Sequence, residues 1–324
     1  MELRLTRARR IYADGTHCAF TGVTRHADEA LVCFRSGLTH ISWDGVIRVI
    51  ASDDGEDWAP AATLTQTGVD LRDPKIVSWQ GSALTYCGGR SQTGPLRSYV
   101  SFAADGRAFG PLQPLAGVPE GYWLWSVRPQ PALGWLYGAA YHDTSAVLLR
   151  SADGVVWETV VDFPLWGNEV SFDFDEAGRL WALVREDWYG CIPALCVAET
   201  PYDKFSSVTR LPIRLQGPML KRLDGACVIV GRRWDEPGRR NLRSDVFLLE
   251  DGHDLQYVRA LPSGGDTSYA GWLDDGPGRG LISYYSSHEY KMDVGWADEA
   301  ASTDTAVAEH STPAGIYLAD VRYR

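Results

Sequence analysis

The chain has 324 residues, a formal net charge of −11 and 45% hydrophobic residues, among them 13 Trp and 15 Tyr. That acidity argues against nucleic acid and against an anionic membrane surface as partners. No apolar run reaches the roughly 18 residues that a spanning helix needs.

The start, Met1–Arg10, is basic but carries no apolar stretch, so it does not read as a secretory signal and a cytoplasmic location is expected. A strand is expected from about Leu3 to Ile11. Next, Cys33-Phe34-Arg35-Ser36-Gly37-Leu38-Thr39-His40 runs an apolar strand straight into Arg35 and His40, with Arg25 on the strand before it. The charged segment Asp70-Leu71-Arg72-Asp73-Pro74-Lys75 precedes four short strand-like runs, Lys75–Trp79, Ala83–Cys87, Arg97–Phe102 and Phe109–Leu112. It reads either as a solvated loop with local ion pairs or as part of a site. Tyr122-Trp123-Leu124-Trp125 is either packing between sheets or an aromatic platform for a sugar face. Gly167-Asn168-Glu169 and Leu180–Arg185 flank a hairpin turn at Asp175–Arg179, which allows Glu169 and Arg185 to meet at one end. Val228-Ile229-Val230-Gly231-Arg232-Arg233 follows Gly217-Pro218-Met219, and Gly265-Asp266-Thr267-Ser268-Tyr269 precedes Ile282-Ser283-Tyr284-Tyr285. The polar stretch 296–313 reads as a flap or a loose connection, and Ala314–Val321 as a last strand that pairs with the first. The six cysteines sit mostly in apolar runs and read as buried and reduced. Neither their spacing nor any other motif suggests a metal or another cofactor.

A turn motif orders these segments. Ser52-Asp53-Asp54-Gly55-Glu56-Asp57-Trp58, Ala103-Ala104-Asp105-Gly106-Arg107-Ala108-Phe109 and Ser151-Ala152-Asp153-Gly154-Val155-Val156-Trp157 share the pattern small-x-Asp-Gly-x-x-aromatic. Asp54 to Asp105 is 51 residues and Asp105 to Asp153 is 48; worn copies follow at Tyr202–Phe205 and Glu250–Leu255. Short strands broken by Asp-Gly at a period near 49 describe four-stranded antiparallel units, and such an array is a β-propeller. The expected fold is therefore all-β, a single propeller domain over residues 1–324. Six blades fit best, with five and seven as the neighbouring counts. In a ring of this kind the arginines that end apolar second strands, Arg35, Arg185 and Arg232, converge on the axis. They are answered there by an anion, a polyol or internal carboxylates.

The turns resemble the Asp-box repeats of sialidases and their relatives, which are six-bladed propellers, and the resemblance covers nearly the whole chain. Sialidases place a Glu, an Arg about sixteen residues later, another Arg on the next blade and then a Tyr. Glu169, Arg185, Arg232 (or Arg233) and Tyr269 follow that order. The resemblance implies a sialidase-like glycoside hydrolase acting on a terminal sugar or small glycoside. Tyr269 would be the nucleophile, Glu169 its base, and Asp73 the acid/base, preferred over Asp70 and Asp44. Arg35, His40, Arg72, Trp125, Arg185, Arg232 and Tyr285 would bind substrate. The chain lacks the Arg-Ile-Pro segment that supplies a further arginine in sialidases, and it has Tyr285 where they carry a second Glu. An uncharged glycoside therefore stands beside a sialoside as the substrate. The alternative is a non-catalytic carbohydrate-binding propeller using the same cavity. A hydroxyl of Tyr269 within roughly 3.5 Å of a Glu169 oxygen separates the two.

Overall fold

The computed structural model describes residues 1–235, 240–290 and 313–324. These residues form six four-stranded antiparallel sheets arranged as a six-bladed β-propeller. The inner strands are His17–His26, Val69–Trp79, Trp123–Gln130, Val170–Phe174, Gln216–Leu223 and Thr267–Asp274, for blades one to six. Each inner strand neighbours the next, and the sixth neighbours the first. Each is followed by its second strand: Glu29–Gly37, Ser82–Ser91, Trp135–His142, Leu180–Val184, Ala226–Asp235 and Arg279–Ser286. The ring closes as expected. Gly315–Tyr323 is the third strand of blade six, and the N-terminal strand Leu3–Tyr12 is its fourth, with Leu5 opposite Val321 and Arg9 opposite Leu318. The stretch 296–313, expected as a flap or loose connection, lies outside the described residues apart from Pro313.

The core is divided into six wedges, one between each pair of neighbouring blades. Leu31, Val49 and Leu71 belong to the wedge between blades one and two, and Trp181, Leu195 and Ile229 to that between blades four and five. A strand flanked by a blade on each side buries both faces, which is why Leu31-Val32-Cys33-Phe34 and Ala226–Val230 are continuously apolar rather than alternating. All six cysteines are buried and free.

The Asp-Gly turns join third strands to fourth strands. Asp54 Oδ1 accepts from the backbone N–H of Glu56 and Asp57 and from Ser52 Oγ, and Asp153 Oδ1 repeats the set with Val155, Val156 and Ser151. Asp105 accepts from Arg107 and Ala108. The glycine that follows adopts φ of 73° to 81° in all three, which the turn requires. These aspartates are spent on backbone donors and take no part in a site.

Blade two departs from the sequence expectation at both edges. Its inner strand begins at Val69, so Asp70–Asp73 lie within the strand rather than ahead of it, and its fourth strand is the short Gln113–Pro114 rather than Phe109–Leu112. The first shift has a clear cause. An irregularity at Asp73-Pro74 absorbs the proline, whose missing N–H would otherwise end the ladder. Among the described residues no helix is long and apolar enough to cross a membrane.

Candidate active site

The starts of the inner strands and the ends of the second strands share one mouth of the ring. Just inside it, five of the six inner strands carry one extra residue. The register slips between Ala19 and Gly22, Arg72 and Lys75, Leu124 and Ser126, Gln216 and Met219, and Ser268 and Gly271. At four of these bulges a residue sits at positive φ: Phe20 (61°), Asp73 (46°), Gly217 (55°) and Tyr269 (49°). A bulge re-aims its side chain away from the strand's own alternation, so Asp73 and Tyr269 leave the alternation of their strands, and Tyr269 lines the cavity in the channel. Blade four has no bulge. There Glu169 stands just ahead of the inner strand, held by the backbone pairs Arg185 N to Glu169 O (3.0 Å) and Asn168 N to Arg185 O (3.1 Å).

Tyr269 and Glu169 meet across the ring from blades six and four. The Tyr269 hydroxyl donates to Glu169 Oε1 at 2.8 Å. Arg185 Nη1 lies 2.8 Å from Glu169 Oε2, off the hydrogen-bond line, and donates to the Tyr269 oxygen at 3.5 Å. On its other edge Arg185 Nε donates to Asp187 Oδ1 at 2.9 Å, and the Gln216 and Asn168 amides also donate to Asp187. Burial works against the charge of Arg185, but Glu169, Tyr269 and Asp187 outweigh it and hold its pKa well above the usual value. Burial also opposes the Asp187 charge, yet Arg185 brings that carboxyl down to about 2. The Tyr269 phenol is pushed far up, first by burial and then by the Glu169 carboxylate, so it is neutral at rest. Asp73 belongs to the same electrostatic group. Burial raises it to about 6, against the pull of Arg72 and Lys75 and with the help of Glu169.

A second carboxylate organises the blade-six side. Asp266 Oδ1 accepts from the Tyr285 hydroxyl at 2.6 Å, and Oδ2 contacts His17 Nε2 at 2.7 Å and His40 Nδ1 at 2.5 Å. Arg232 Nη1 is 3.6 Å from Oδ1, and Arg232 Nη2 donates to Gln216 at 3.3 Å. The His17, His40 and Asp266 ligand atoms lie within 4.8 Å of one another, a cluster that could in principle hold a metal. Their contacts here are of hydrogen-bond length, and the Arg232 cation faces the same carboxylate. Burial lowers His40 to about 4 despite Asp266, so this imidazole is neutral near pH 7. The Phe20 ring lies edge-on to His40 (5.0 Å), Tyr269 (5.2 Å) and Tyr285 (5.5 Å), and the two tyrosine rings stack at 6.1 Å.

Tyr269, Glu169 and Arg185 are thus in direct contact, Asp73 and Arg232 interact with them electrostatically, and Arg72 lies over the Phe20 ring, while His40 and Tyr285 support Asp266. Of Tyr269, Glu169, Asp73, Arg185, Arg232 and Arg72, it is Tyr269 that lines the cavity in the channel, beside Trp125, Lys75, Arg128 and Met219. Two expectations need correction. Arg35 is 0% exposed, and each of its three nitrogens donates: Nε and Nη2 on Asp70 Oδ1 (3.1 and 2.9 Å), Nη1 on the Thr39 carbonyl and Nη2 on the Ser42 carbonyl. It is an internal brace with no exposed surface for a substrate. Trp125 is 3% exposed, with the Tyr269 ring against it at 5.3 Å and Lys75 Nζ over its ring at 4.8 Å; it lines the channel cavity beside Tyr269 but is no open stacking platform. Of the weighed alternatives, Arg233 turns away to Asp245, Arg25 to Asp275, and Asp44 caps the Leu38 N–H. His17, Asp187 and Gln216 were not expected; Asp187, two residues beyond Arg185, was the one with a local signal.

The sequence matches no family model and no curated protein. The fold has many counterparts. A protein of unknown function from Dyadobacter fermentans superposes with a TM-score of 0.79 at 17% identity, over 99% of each chain. The NanB sialidase of Streptococcus pneumoniae does so with a TM-score of 0.70 at 10% identity, over 96% of this chain and 70% of its own. The GH43_1 enzyme of Xanthomonas citri, solved with xylotriose, gives 0.52 at 10%, over 97% and 89%. At such identities the likeness is one of fold, and that fold is shared with glycosidases.

Proposed function

We propose that the chain is a glycoside hydrolase in which Tyr269 attacks the anomeric carbon of a terminal sugar. The observation that carries this reading is the 2.8 Å hydrogen bond from the Tyr269 hydroxyl to Glu169. A phenol pushed above its usual pKa is a poor nucleophile until a base takes its proton, and Glu169 is placed to do so. As the phenolic oxygen bonds to carbon, its proton passes to Glu169, and Arg185 stabilises the oxygen it faces. Asp73, near pKa 6 and so partly protonated at neutral pH, gives its proton to the departing glycosidic oxygen. In the second half Asp73 takes a proton from water, the hydroxide oxygen attacks carbon, and the Tyr269 oxygen recovers its proton from Glu169. Atoms and charge return to the start.

The charge balance favours a neutral, hydroxyl-rich sugar. Arg185 already faces Glu169 and Asp187, and Arg232 faces Asp266. Neither is an unanswered cation waiting for a substrate carboxylate. A panel of fluorogenic glycosides, neutral and acidic, tests the proposal. Turnover of at least one neutral member, abolished in Tyr269→Phe and Glu169→Gln variants that keep the wild-type melting temperature, supports it. Turnover unaffected by Tyr269→Phe refutes the nucleophile, and failure on every glycoside favours a binding propeller.

A further inference from the structure

Two indoles at the mouth are open to solvent on loops fixed to the reacting pair. Trp166 is 69% exposed and lies three residues before Glu169; Trp188 is 73% exposed and lies three residues after Arg185. Burying large aromatics is among the strongest stabilising contributions available to a fold, so leaving two exposed on loops that are bonded to each other calls for a reason. Other exposed aromatics of this rim are already covered. Arg90 lies over the Trp43 ring at 4.5 Å, and Arg210 over Tyr189 at 4.2 Å. Trp166 and Trp188 have no hydrogen bond or ring partner among the described residues.

The loops that carry them are held firmly together. Asn168 joins them twice, through its N–H to the Arg185 carbonyl (3.1 Å) and its side-chain amide to Asp187 Oδ2 (3.2 Å). Gly167 packs so closely that an added Cβ would strike Val184 and stand 3.0 Å from the Arg185 carbonyl. Trp188 sits in a short 3₁₀ turn, Asp187–Tyr189, closed by Gly190 in the left-handed region. Three residues of chain reach at most about 10 Å, so the Cα of Trp166 lies within that distance of Glu169 and the Cα of Trp188 within that distance of Arg185, a span that a short oligosaccharide covers.

We propose that Trp166 and Trp188 form an outer subsite on blade four that stacks the apolar faces of further sugar units of a glycan whose end enters the cavity. This deepens the hydrolase reading, since it names a chain rather than a free sugar as the natural ligand. It rests on that reading for the direction of the chain, but its binding is measurable without turnover. The committed occupant is a carbohydrate. A second copy of this chain on the same face is the competing occupant.

The test is an array of neutral and acidic oligosaccharides of graded length, probed with the wild-type chain and with Trp166→Ala, Trp188→Ala and the double variant. Calorimetry then follows with the longest retained glycan and its shortened forms, and sedimentation with each protein. Wild-type affinity is expected to rise with length. Each single substitution should weaken the long glycan about two- to tenfold, the range an aromatic stacking contact supplies, and leave a single-sugar glycoside unchanged. Three results overturn the proposal: no glycan retained by the wild type, a double variant that binds like the wild type, or a wild-type dimer that the double variant dissolves. Length-dependent binding without turnover of any glycoside keeps the subsite and removes the hydrolase. Turnover of short glycosides without any dependence on length keeps the hydrolase and removes the subsite.

Discussion

Replacing Asp70 by asparagine takes away the one carboxylate that three arginines share. Asp70 and Arg35 are both 0% exposed in side chain, with Arg35 Nη2 2.9 Å from Oδ1; Arg72 Nη1 and Arg90 Nε stand 3.6 and 3.8 Å from Oδ2. Breaking a buried pair by removing one partner costs about 3–5 kcal/mol, because the remaining charge stays in a medium that solvates it poorly. Asp70→Asn belongs near the upper end, since Arg35 then keeps only neutral acceptors, the asparagine oxygen and the carbonyls of Thr39 and Ser42, and Arg72 and Arg90 lose the same countercharge. Arg35→Met belongs near the lower end, since Asp70 keeps Arg72, Arg90 and the Gly45 N–H at 3.2 Å. At 324 residues, an unfolding entropy of about 0.7 kcal/mol/K converts these into losses of about 7 °C and about 4 °C in melting temperature. Differential scanning calorimetry at pH 7 should return that order, nearly unchanged from low to high salt because the pair is shielded from counterions. Once folded, Arg35→Met should keep the KM of any substrate. An Arg35→Met protein that melts like the wild type but loses substrate affinity would return this residue to the binding set and refute the brace.

Four further outcomes follow from the same geometry. Tyr269→Phe should lower kcat on the order of 10³-fold or more while shifting the melting temperature by under about 2 °C, since Glu169 keeps Arg185 as its partner; steady-state kinetics beside calorimetry checks both halves. The alkaline limb of kcat/KM should fall through pH about 6 as Asp73 loses its proton, and Asp73→Asn should remove that limb along with most of the activity. The same carboxyl is raised above its ordinary 3.8, so the stability it lends is whole below about pH 4 and is lost as pH rises through about 6. Asp73→Asn, which tolerates the positive φ, should therefore melt higher than the wild type at pH 7–8, by up to about 3 kcal/mol. Gly45→Ala should lower the melting temperature much as Arg35→Met does, because its Cβ would strike Asp70 Oδ1 and Arg35 Nε.

Much of the ring was legible because its signal is periodic. The Asp-Gly turns repeat, and the last strand visibly lacks a partner until the first is folded back onto it. Glu169 and Arg185 were legible for a local reason: sixteen residues around one hairpin return the chain to the same end, whatever the rest of the fold does. Arg35 was misread although it occupies the same place at the end of a second strand as Arg232. What distinguishes it is Asp70, on the inner strand of the next blade, and no spacing within blade one announces that partner. The Asp266 cluster was hidden more completely. His17 and Asp266 are 249 residues apart and meet only because blade six closes against blade one. Trp125 and Trp188 show the limit of composition, since one indole is packed and the other open, and only the packing of neighbouring blades decides which.

The backbone states at the mouth argue that these residues are more than polar decoration. Phe20, Asp73 and Tyr269 hold positive φ, and Ser268 sits at φ 133° beside Tyr269. Each such non-glycine state costs about 1–3 kcal/mol and persists only when its surroundings over-determine it. The surroundings here do so. Phe20 is wedged edge-on among His40, Tyr269 and Tyr285, and Ser268 donates to the Gly217 carbonyl of the neighbouring bulge at 3.2 Å. Positive φ also occurs at turns such as Ala27, Gln80, Asp143, Asp224 and Asp251, but at the mouth it coincides with a raised carboxyl and with a neutral phenol on a carboxylate, whereas the Asp-Gly turns use aspartate only to satisfy backbone donors. A tyrosine in the left-handed region is not by itself a mark of function here, since Tyr202 holds φ 69° inside a core wedge. What sets Tyr269 apart is its hydroxyl on the buried Glu169, and that contact is what the proposed hydrolase reading rests on.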